Sequence, residues 1–485
     1  MARSFLRRSW PARWPVSVAH LWPLTILLGI FAFLNTHPIR PHDFWWHMAV
    51  GREILASGRI PTVDTFSFTA AGASYPSYAA FWLPEVVLYS LYTLGGPALV
   101  AFVHTTAVTA AYGLTLALAW RISGSPRVAA VATLFAAALG INDWNVRPQA
   151  ATFFLAPLFL WAIYEIRRRE EGEEEGGNAR AGRSLGFWGW LAVFPLGMVF
   201  WANSHGSFPL GLLMVGVWVA DEVWGGWRGA RAFSYLAGMS AHPVIQGMVP
   251  EWAPPTFSTL TGALFLGGLL ATAALLALSP RRPEPLELLL FLAFGALGLR
   301  TTRGAIWFGL ALAPVWAAHI PALFGLWQAR ADRPTFPATL LGVLLTAGAL
   351  VTLPWFKERL PLPPAKAGLI SAETPVAAAE FLLRQRPPGS LFHAMPFGSY
   401  LVWAAQTDYP VFVDSRIELY PVEVWLDYLH ISAAGCGWEE RLAHYGVRTL
   451  MLSPQEQPAL VAAARASPRW QQIYEDPAAV IFVRR

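Results

Sequence analysis

The sequence predicts a mainly α-helical, polytopic membrane bundle of about eleven transmembrane helices, followed by a small C-terminal α/β domain. Three observations carry this. Of 485 residues, 55% are hydrophobic and 13% charged, against about 25% charged in soluble domains. Apolar runs recur at about 22–34, 97–120, 150–163, 187–200, 210–219, 260–278, 286–299, 305–317 and 338–353, too many for a lone anchor. From about Glu373 the composition turns to that of a soluble unit.

Several of these runs are shorter than the roughly 20 residues a membrane span needs, so their polar or aromatic flanks must be included. Period-two alternation is absent, and hydrocarbon forces every backbone polar group to be satisfied internally, which leaves helices. The single Cys436 excludes an internal disulfide framework and a cysteine metal cluster. The formal charge of +5 comes mainly from arginines beside the spans, so it reports topology rather than nucleic-acid binding.

Taken in order, Arg3, Arg7, Arg8 and Arg13 place the N-terminus in the cytoplasm. An uncleaved first helix over about 16–36 then carries a first outer loop, 37–85, to the outside. Helix 2 returns to Arg121 and Arg127, helix 3 (about 128–142) leads out to 142–147, and helix 4 comes back to a charged loop, 167–183. Its run of glutamates between arginines reads as a disordered cytoplasmic connector. Helix 5 emerges at 201–206 and helix 6 returns to Arg228 and Arg231. Residues 232–250 form helix 7, and helix 8 (about 256–279) ends at Arg281 and Arg282. Helix 9 leads out to Arg300–Arg303, helix 10 returns to Arg330 and Arg333, and helix 11 (about 336–354) delivers the C-terminal part outside. The chain thus divides into a membrane domain, 1–355, and an extracytoplasmic α/β domain, 372–485. In the latter, 376–384 and 438–445 read as helices and 391–394, 411–413, 448–452 and 480–483 as strands.

This parity puts the polar residues of the outer loops on one face. Asp43, just beyond the first span, suits a general base toward a hydroxyl or a metal ligand; equally, it suits the cap of a helix starting at Phe44. Trp45 and Trp46 suit either a cavity mouth or interfacial anchoring. His42 and His47 are five apart, off one helix face, which speaks against a zinc pair. Arg300 and Arg303, three apart, can grip a phosphate by forked hydrogen bonds or simply snorkel. Arg147 is a third anion contact, while His205, before Gly206, suits a turn as well as a site. Glu251 and Trp252 open helix 8. Asp414, Arg416 and Glu418 follow a strand, where ion pairs are commoner than ligand contacts.

Asp43, Phe44, Trp45, Trp46 and His47, with Gly51, Arg52, Gly58, Ile60, Pro61, Asp64, Phe66, Ser67, Phe68, Thr69 and Gly72, resemble the first outer loop of bacterial multi-spanning proteins of the C-type glycosyltransferase superfamily. These are similar to protein mannosyltransferases and to the lipid A aminoarabinose transferase. The likeness continues through 201–206, Glu251, Trp252 and Arg303, and into the C-terminal domain at Gly398, Tyr400, Leu401, 411–414, Arg416, Leu419 and Tyr420. The sequence departs from it at Ala80 and Phe81, where members carry a His-Glu pair; Glu85 is kept downstream.

The resemblance implies a transferase of the cytoplasmic (inner) membrane that moves a sugar from a polyprenyl-phosphate donor to an acceptor on the outer face. Asp43 would assist the acceptor. Trp45, Trp46, His47, Arg147, His205, Glu251, Arg300 and Arg303 would bind substrate. A divalent metal is left open as cofactor, the acceptor is a glycan, lipid or protein, and no nucleic acid is expected. The alternative is a catalytically inactive glycolipid-binding or envelope-assembly protein.

Overall fold

The computed structural model describes residues 16–175, 185–222, 252–325, 334–406 and 408–485. In chain order its helices of seven residues or more are α1 Val18–Thr36, α2 Phe44–Ser57, α3 Tyr78–Ser123, α4 Pro126–Gly140, α5 Leu155–Glu175, α6 Leu185–Ala202, α7 Pro209–Glu222, α8 Leu260–Leu278, α9 Pro285–Arg300, α10 Gly304–Phe324, α11 Phe336–Val351, α12 Val376–Gln385, α13 Met395–Ala404, α14 Val422–Ser432, α15 Trp438–His444 and α16 Pro458–Ala466. Four strands follow the same order: β1 Ser390–His393, β2 Val447–Leu452, β3 Trp470–Glu475 and β4 Val480–Arg484.

Five helices among the described residues are long and apolar enough to cross a membrane: Val18–Thr36, Tyr78–Ser123, Pro148–Arg169, Leu260–Leu278 and Gly304–Phe324. Three shorter apolar helices, Trp188–Ala202, Pro209–Asp221 and Phe336–Val351, join them. The expected helix 7, at 232–250, lies outside the described residues. So does most of the end of the 167–183 connector, although α5 itself runs to Glu175. Arginine and glutamate are good helix formers, and Arg168 bonds back to Glu165 at 2.8 Å, which extends α5 beyond its apolar part.

The chain forms two compact units. The first comprises residues 1–36, 102–145 and 149–356. Its axis is α10, buried along nearly its whole length because α4, α5, α8 and α9 surround it. Small residues make the closest approach: a Cβ on Gly309 would stand 3.0 Å from the Ala136 backbone, so α4 and α10 touch main chain to main chain. Helix starts are set by local chemistry. Ser125 accepts a hydrogen bond from the Val128 N–H ahead of Pro126, and Thr335 accepts one from the Ala338 N–H ahead of Pro337.

The second unit comprises residues 37–101, 146–148 and 357–485. Residues 37–101, grouped by sequence with the membrane helices, therefore fold with the C-terminal part. The joints are explicit. Ile39 bridges Ile370 in parallel, Ser67 bridges Val411, and the Val411 N–H donates to the Phe66 carbonyl at 2.9 Å. The expected strand 411–413 is corrected by this: its backbone is spent on the first loop rather than on the sheet.

That sheet has the order β1-β2-β4-β3, with β1 parallel to β2 and the other pairs antiparallel. Strand β3 was not expected, because its solvent-facing Gln471 and Gln472 dilute the apolar pattern. By contrast α2 is the helix from Phe44 that one of the two readings of Asp43 offered, inside what otherwise read as a loop. It closes on Gly58, whose positive φ of 67° admits the left-handed turn and lets its N–H reach the Ile54 carbonyl. Gly51 on α2 faces the α3 backbone so closely that a Cβ would stand 2.1 Å from the Glu85 carbonyl oxygen.

Candidate active site in the second unit

Asp43 is the residue before α2, but its side chain makes no capping bond. It turns instead to Arg147, whose Nε lies 2.8 Å from Oδ2. Both side chains keep some solvent access, 19% for Asp43 and 18% for Arg147. Burial opposes ionisation of Asp43, yet the Arg147 guanidinium and the neighbouring Ser415 hydroxyl outweigh it and hold the carboxyl down to about 2. The group is a carboxylate at any ordinary pH, reachable from outside, with a fixed cation at its back.

One turn along α2 the character changes. The His47 N–H reaches back to the Asp43 carbonyl at 3.3 Å. Its ring lies inside the unit, with Nδ1 2.8 Å from Glu85 Oε1, and Glu85 is wholly buried. Burial holds the His47 pKa down to about 3, so the imidazole is neutral. Phe81 packs edge-on against it at 5.4 Å. His47 and Glu85, 38 residues apart in the chain, thus meet as a buried pair.

Trp45 and Trp46 are buried, at 1% and 4% exposure. Trp45 packs edge-on against Tyr400 at 4.9 Å, and the Trp46 backbone N–H donates to Ser399 Oγ at 3.0 Å. Arg52 lies 4.4 Å over the Trp403 ring and donates to its carbonyl. These tryptophans, read either at a cavity mouth or as interfacial anchors, are buried and dock α2 on α13 through an edge-to-face aromatic contact and the Ser399 bond.

Behind this lies a second acid-base cluster. Arg416 grips Asp414 with Nε at 3.0 Å from Oδ1 and Nη2 at 2.5 Å from Oδ2, and reaches Asp64 Oδ1 with Nη1 at 2.6 Å. Asp64 also accepts from the Ser67 N–H and hydroxyl, and all three charged side chains are fully buried. Beside it, His393 accepts the Phe412 N–H on Nε2 and bonds the Ala394 carbonyl through Nδ1. Burial holds its pKa down to about 4, so it is a neutral structural ring. Sequence reasoning passed over His393; the only signal was a histidine inside an apolar strand.

The remaining candidates lie in the first unit or beyond description. His205 Nδ1 accepts the Ser207 N–H at 3.0 Å, within a turn where Trp201 Nε1 donates to the same Ser207 hydroxyl. His205 thus takes part in this turn. Arg300 ends α9 and is exposed, while the Arg303 guanidinium stacks 4.8 Å over the Trp252 ring. Glu251 lies outside the described residues. As for a metal, no group of three or more His, Cys, Asp or Glu is gathered among the described residues, and the charge beside Asp43 is Arg147. The donor set does not suit a cation there, and no step below uses one.

No family model matches the chain, and no curated protein does. The chain is similar in fold to solved structures. Two structures of the mycobacterial arabinofuranosyltransferase AftD, one of them a variant, align with 97% of this chain at TM-score 0.52, with 15% and 14% identity. This chain spans only 40% and 42% of theirs. ArnT from Cupriavidus metallidurans, solved bound to undecaprenyl phosphate, aligns over 95% of this chain and 97% of its own at 14% identity and TM-score 0.47. At such identities the likeness is one of fold.

Proposed function

We propose that this chain is a membrane glycosyltransferase that moves a sugar from a polyprenyl-phosphate donor to an acceptor hydroxyl, with the second unit on the outer face of the cytoplasmic membrane. The observation that carries this reading is Asp43: ionised, partly exposed and paired with Arg147, at the head of the loop whose residues resemble the superfamily.

In the proposed step the acceptor oxygen bonds to the sugar's anomeric carbon as the bond from that carbon to the phosphate oxygen breaks. The phosphate leaves with the electron pair, and the hydroxyl proton passes to the Asp43 carboxylate. A carboxyl held at about 2 is a weak base, so its part is to accept the hydroxyl's hydrogen bond and orient it. It takes the proton late, once attack has made that proton acidic. Arg147 keeps the carboxylate charged and aimed. Electrostatic stabilisation of the leaving phosphate is where the largest effect is expected; Arg300 and Arg303 are proposed as anion-binding residues of the first unit.

The test is transfer from a labelled polyprenyl-phosphate sugar in membrane vesicles. Turnover that survives Asp43→Asn unchanged removes Asp43 from the mechanism. A second reading, a glycolipid-binding protein without chemistry, draws on the same weak basicity of Asp43. Full biological complementation by an Asp43→Asn, Arg303→Ala double variant favours it.

A further inference from the structure

Helix α3 is longer than any single crossing of a membrane. Its 46 residues would run about 70 Å as one rod, against a hydrocarbon core of about 30 Å. The backbone leaves the helical region at Gly95 (φ −152°, ψ 20°) and Gly96 (φ 62°, ψ −163°), and Pro97 starts the helix again. The positive φ of Gly96 is one that glycine adopts without strain. Residues 97–123 suffice for a span. Residues 78–94 are then a separate helix within the second unit, tied to the spanning part by a two-glycine bend.

The two faces of this helix differ. Inward, Glu85 Oε1 meets His47 Nδ1, and the Glu85 carbonyl faces Gly51 of α2. On the other side Ala79, Leu83, Val87, Ser90 and Leu94 follow one another at helical spacing and form one stripe. Val87 is 46% exposed and Leu94 79%. Glu85 is the one charged residue from 78 to 94, and it is wholly buried, so the exposed face carries no charge. The hydroxyls near the stripe turn back into the helix: Ser90 Oγ donates to the Val86 carbonyl at 2.7 Å and Thr93 Oγ1 to the Ser90 carbonyl at 2.9 Å. Water would serve a hydroxyl equally well, whereas at a lipid boundary the internal bond is what remains. Trp82 and Tyr89, seven apart and half-buried, border the stripe on one side. Tyr89 packs edge-on against Trp403 at 6.1 Å, and Arg52 stands 4.4 Å over the same ring. An apolar stripe bordered by tryptophan, tyrosine and arginine is the composition of a membrane interface.

We propose that residues 78–94 lie in the lipid headgroup region as an interfacial helix, so that the second unit docks on the bilayer surface through Leu83, Val87 and Leu94. The occupant of this face is lipid, because the chain enters its spanning helix three residues after Leu94, which fixes that end of the stripe at the membrane boundary. The proposal does not rest on the transferase reading.

The test is made on the full-length protein with Cys436→Ser, which removes its single cysteine. Bimane is attached at Leu83→Cys, Val87→Cys or Leu94→Cys, and each protein is reconstituted in vesicles of dioleoyl phosphatidylcholine and phosphatidylglycerol. Gln471→Cys, at an exposed position of β3, is the aqueous reference, and Leu270→Cys, 65% exposed midway along α8, the hydrocarbon reference. The quenchers are iodide, a lipid spin-labelled near its headgroup and a lipid spin-labelled near its chain end. The expected result is that the labels at 83, 87 and 94 are quenched most by the headgroup-proximal lipid, with iodide about tenfold or more less effective than at 471, since an ion is penalised at that boundary. Val87→Asp should cut the lipid quenching at 83 by about threefold or more, while the melting temperature in detergent stays with the parent's, because an exposed site tolerates a charge in water. Iodide quenching equal to that at 471 would put the face in water and overturn the proposal. So would strongest quenching by the chain-end lipid, as expected at 270, which makes the helix part of a span, or screening from all three quenchers, which assigns the face to a second copy of the chain. Asp43→Asn, which disables the proposed transfer, should leave every one of these signals in place, so the two readings fail separately.

Discussion

The second unit holds two aspartate–arginine arrangements of similar geometry and opposite environment. Asp64, Asp414 and Arg416 are closed off from solvent, and the guanidinium is bonded on three nitrogens. Asp43 and Arg147 meet at 2.8 Å and stay about one fifth exposed. In the first, acceptors are saturated by protein, so the arrangement can only hold the first loop against the C-terminal segment. In the second, a carboxylate is held charged with a face left for something else. Burial, not residue type, separates a clasp from a site.

Four experiments break or sharpen that contrast. The largest effect is expected at the clasp. Arg416→Met leaves two buried carboxylates uncompensated and should cost about 3–5 kcal/mol of stability, read as a large fall in the denaturation midpoint. Restoring neutrality with Asp64→Asn and Asp414→Asn should recover much of it. If Arg416→Met melts like the parent, the cluster is not a clasp.

Asp43→Asn is the converse: melting nearly unchanged, with transfer reduced by about a hundredfold or more. Equal losses of stability and activity would place Asp43 with the structural cluster. Third, Gly51→Ala drives a Cβ into the Glu85 carbonyl and should cost about 1–3 kcal/mol. A thermal melt unmoved by it would mean that α2 is not seated on α3 as described.

The smallest effect concerns Arg147. Arg147→Lys should keep transfer within about tenfold, since the charge remains and only the fork is lost. The pH profile is more telling. The Asp43 pKa of about 2 lies below its ordinary 3.8, so the pairing stabilises the folded, charged form above about pH 4 and is lost as pH falls through 2. The parent should therefore show no Asp43-dependent limb between pH 4 and 7. Arg147→Met removes the lowering charge and leaves burial, which moves an acid limb up into that range. An unmoved profile would end the case for Arg147 as a positioning residue.

Much of the site was legible in the residues around Asp43. The sequence left two readings for it, helix cap or reactive carboxylate. In the structure Asp43 stands directly before α2 without a side-chain capping bond, and its Oδ2 faces Arg147. Arg147 was read as an anion contact, but which anion was not legible, because its partner is remote in the chain. Trp45 and Trp46 were read at a cavity mouth or the membrane interface for the same reason: with no partner in view, an aromatic cluster in a loop reads as exposed. The local ion pair at Asp414 and Arg416 was anticipated from their spacing, but its third member, Asp64, was not.

What the sequence determined by itself is whatever depends on local composition and period: the apolar spans, the ion pair of Asp414 with Arg416, and the change of composition near Glu373. These follow from hydration and backbone sterics, which act over a few residues. The tertiary structure alone decided that the first loop folds with the C-terminal segment, that His47 meets Glu85, and that Asp43 is backed by Arg147. Those outcomes are contacts between distant stretches, fixed by which buried groups satisfy one another, and that matching is not written in any one stretch of chain.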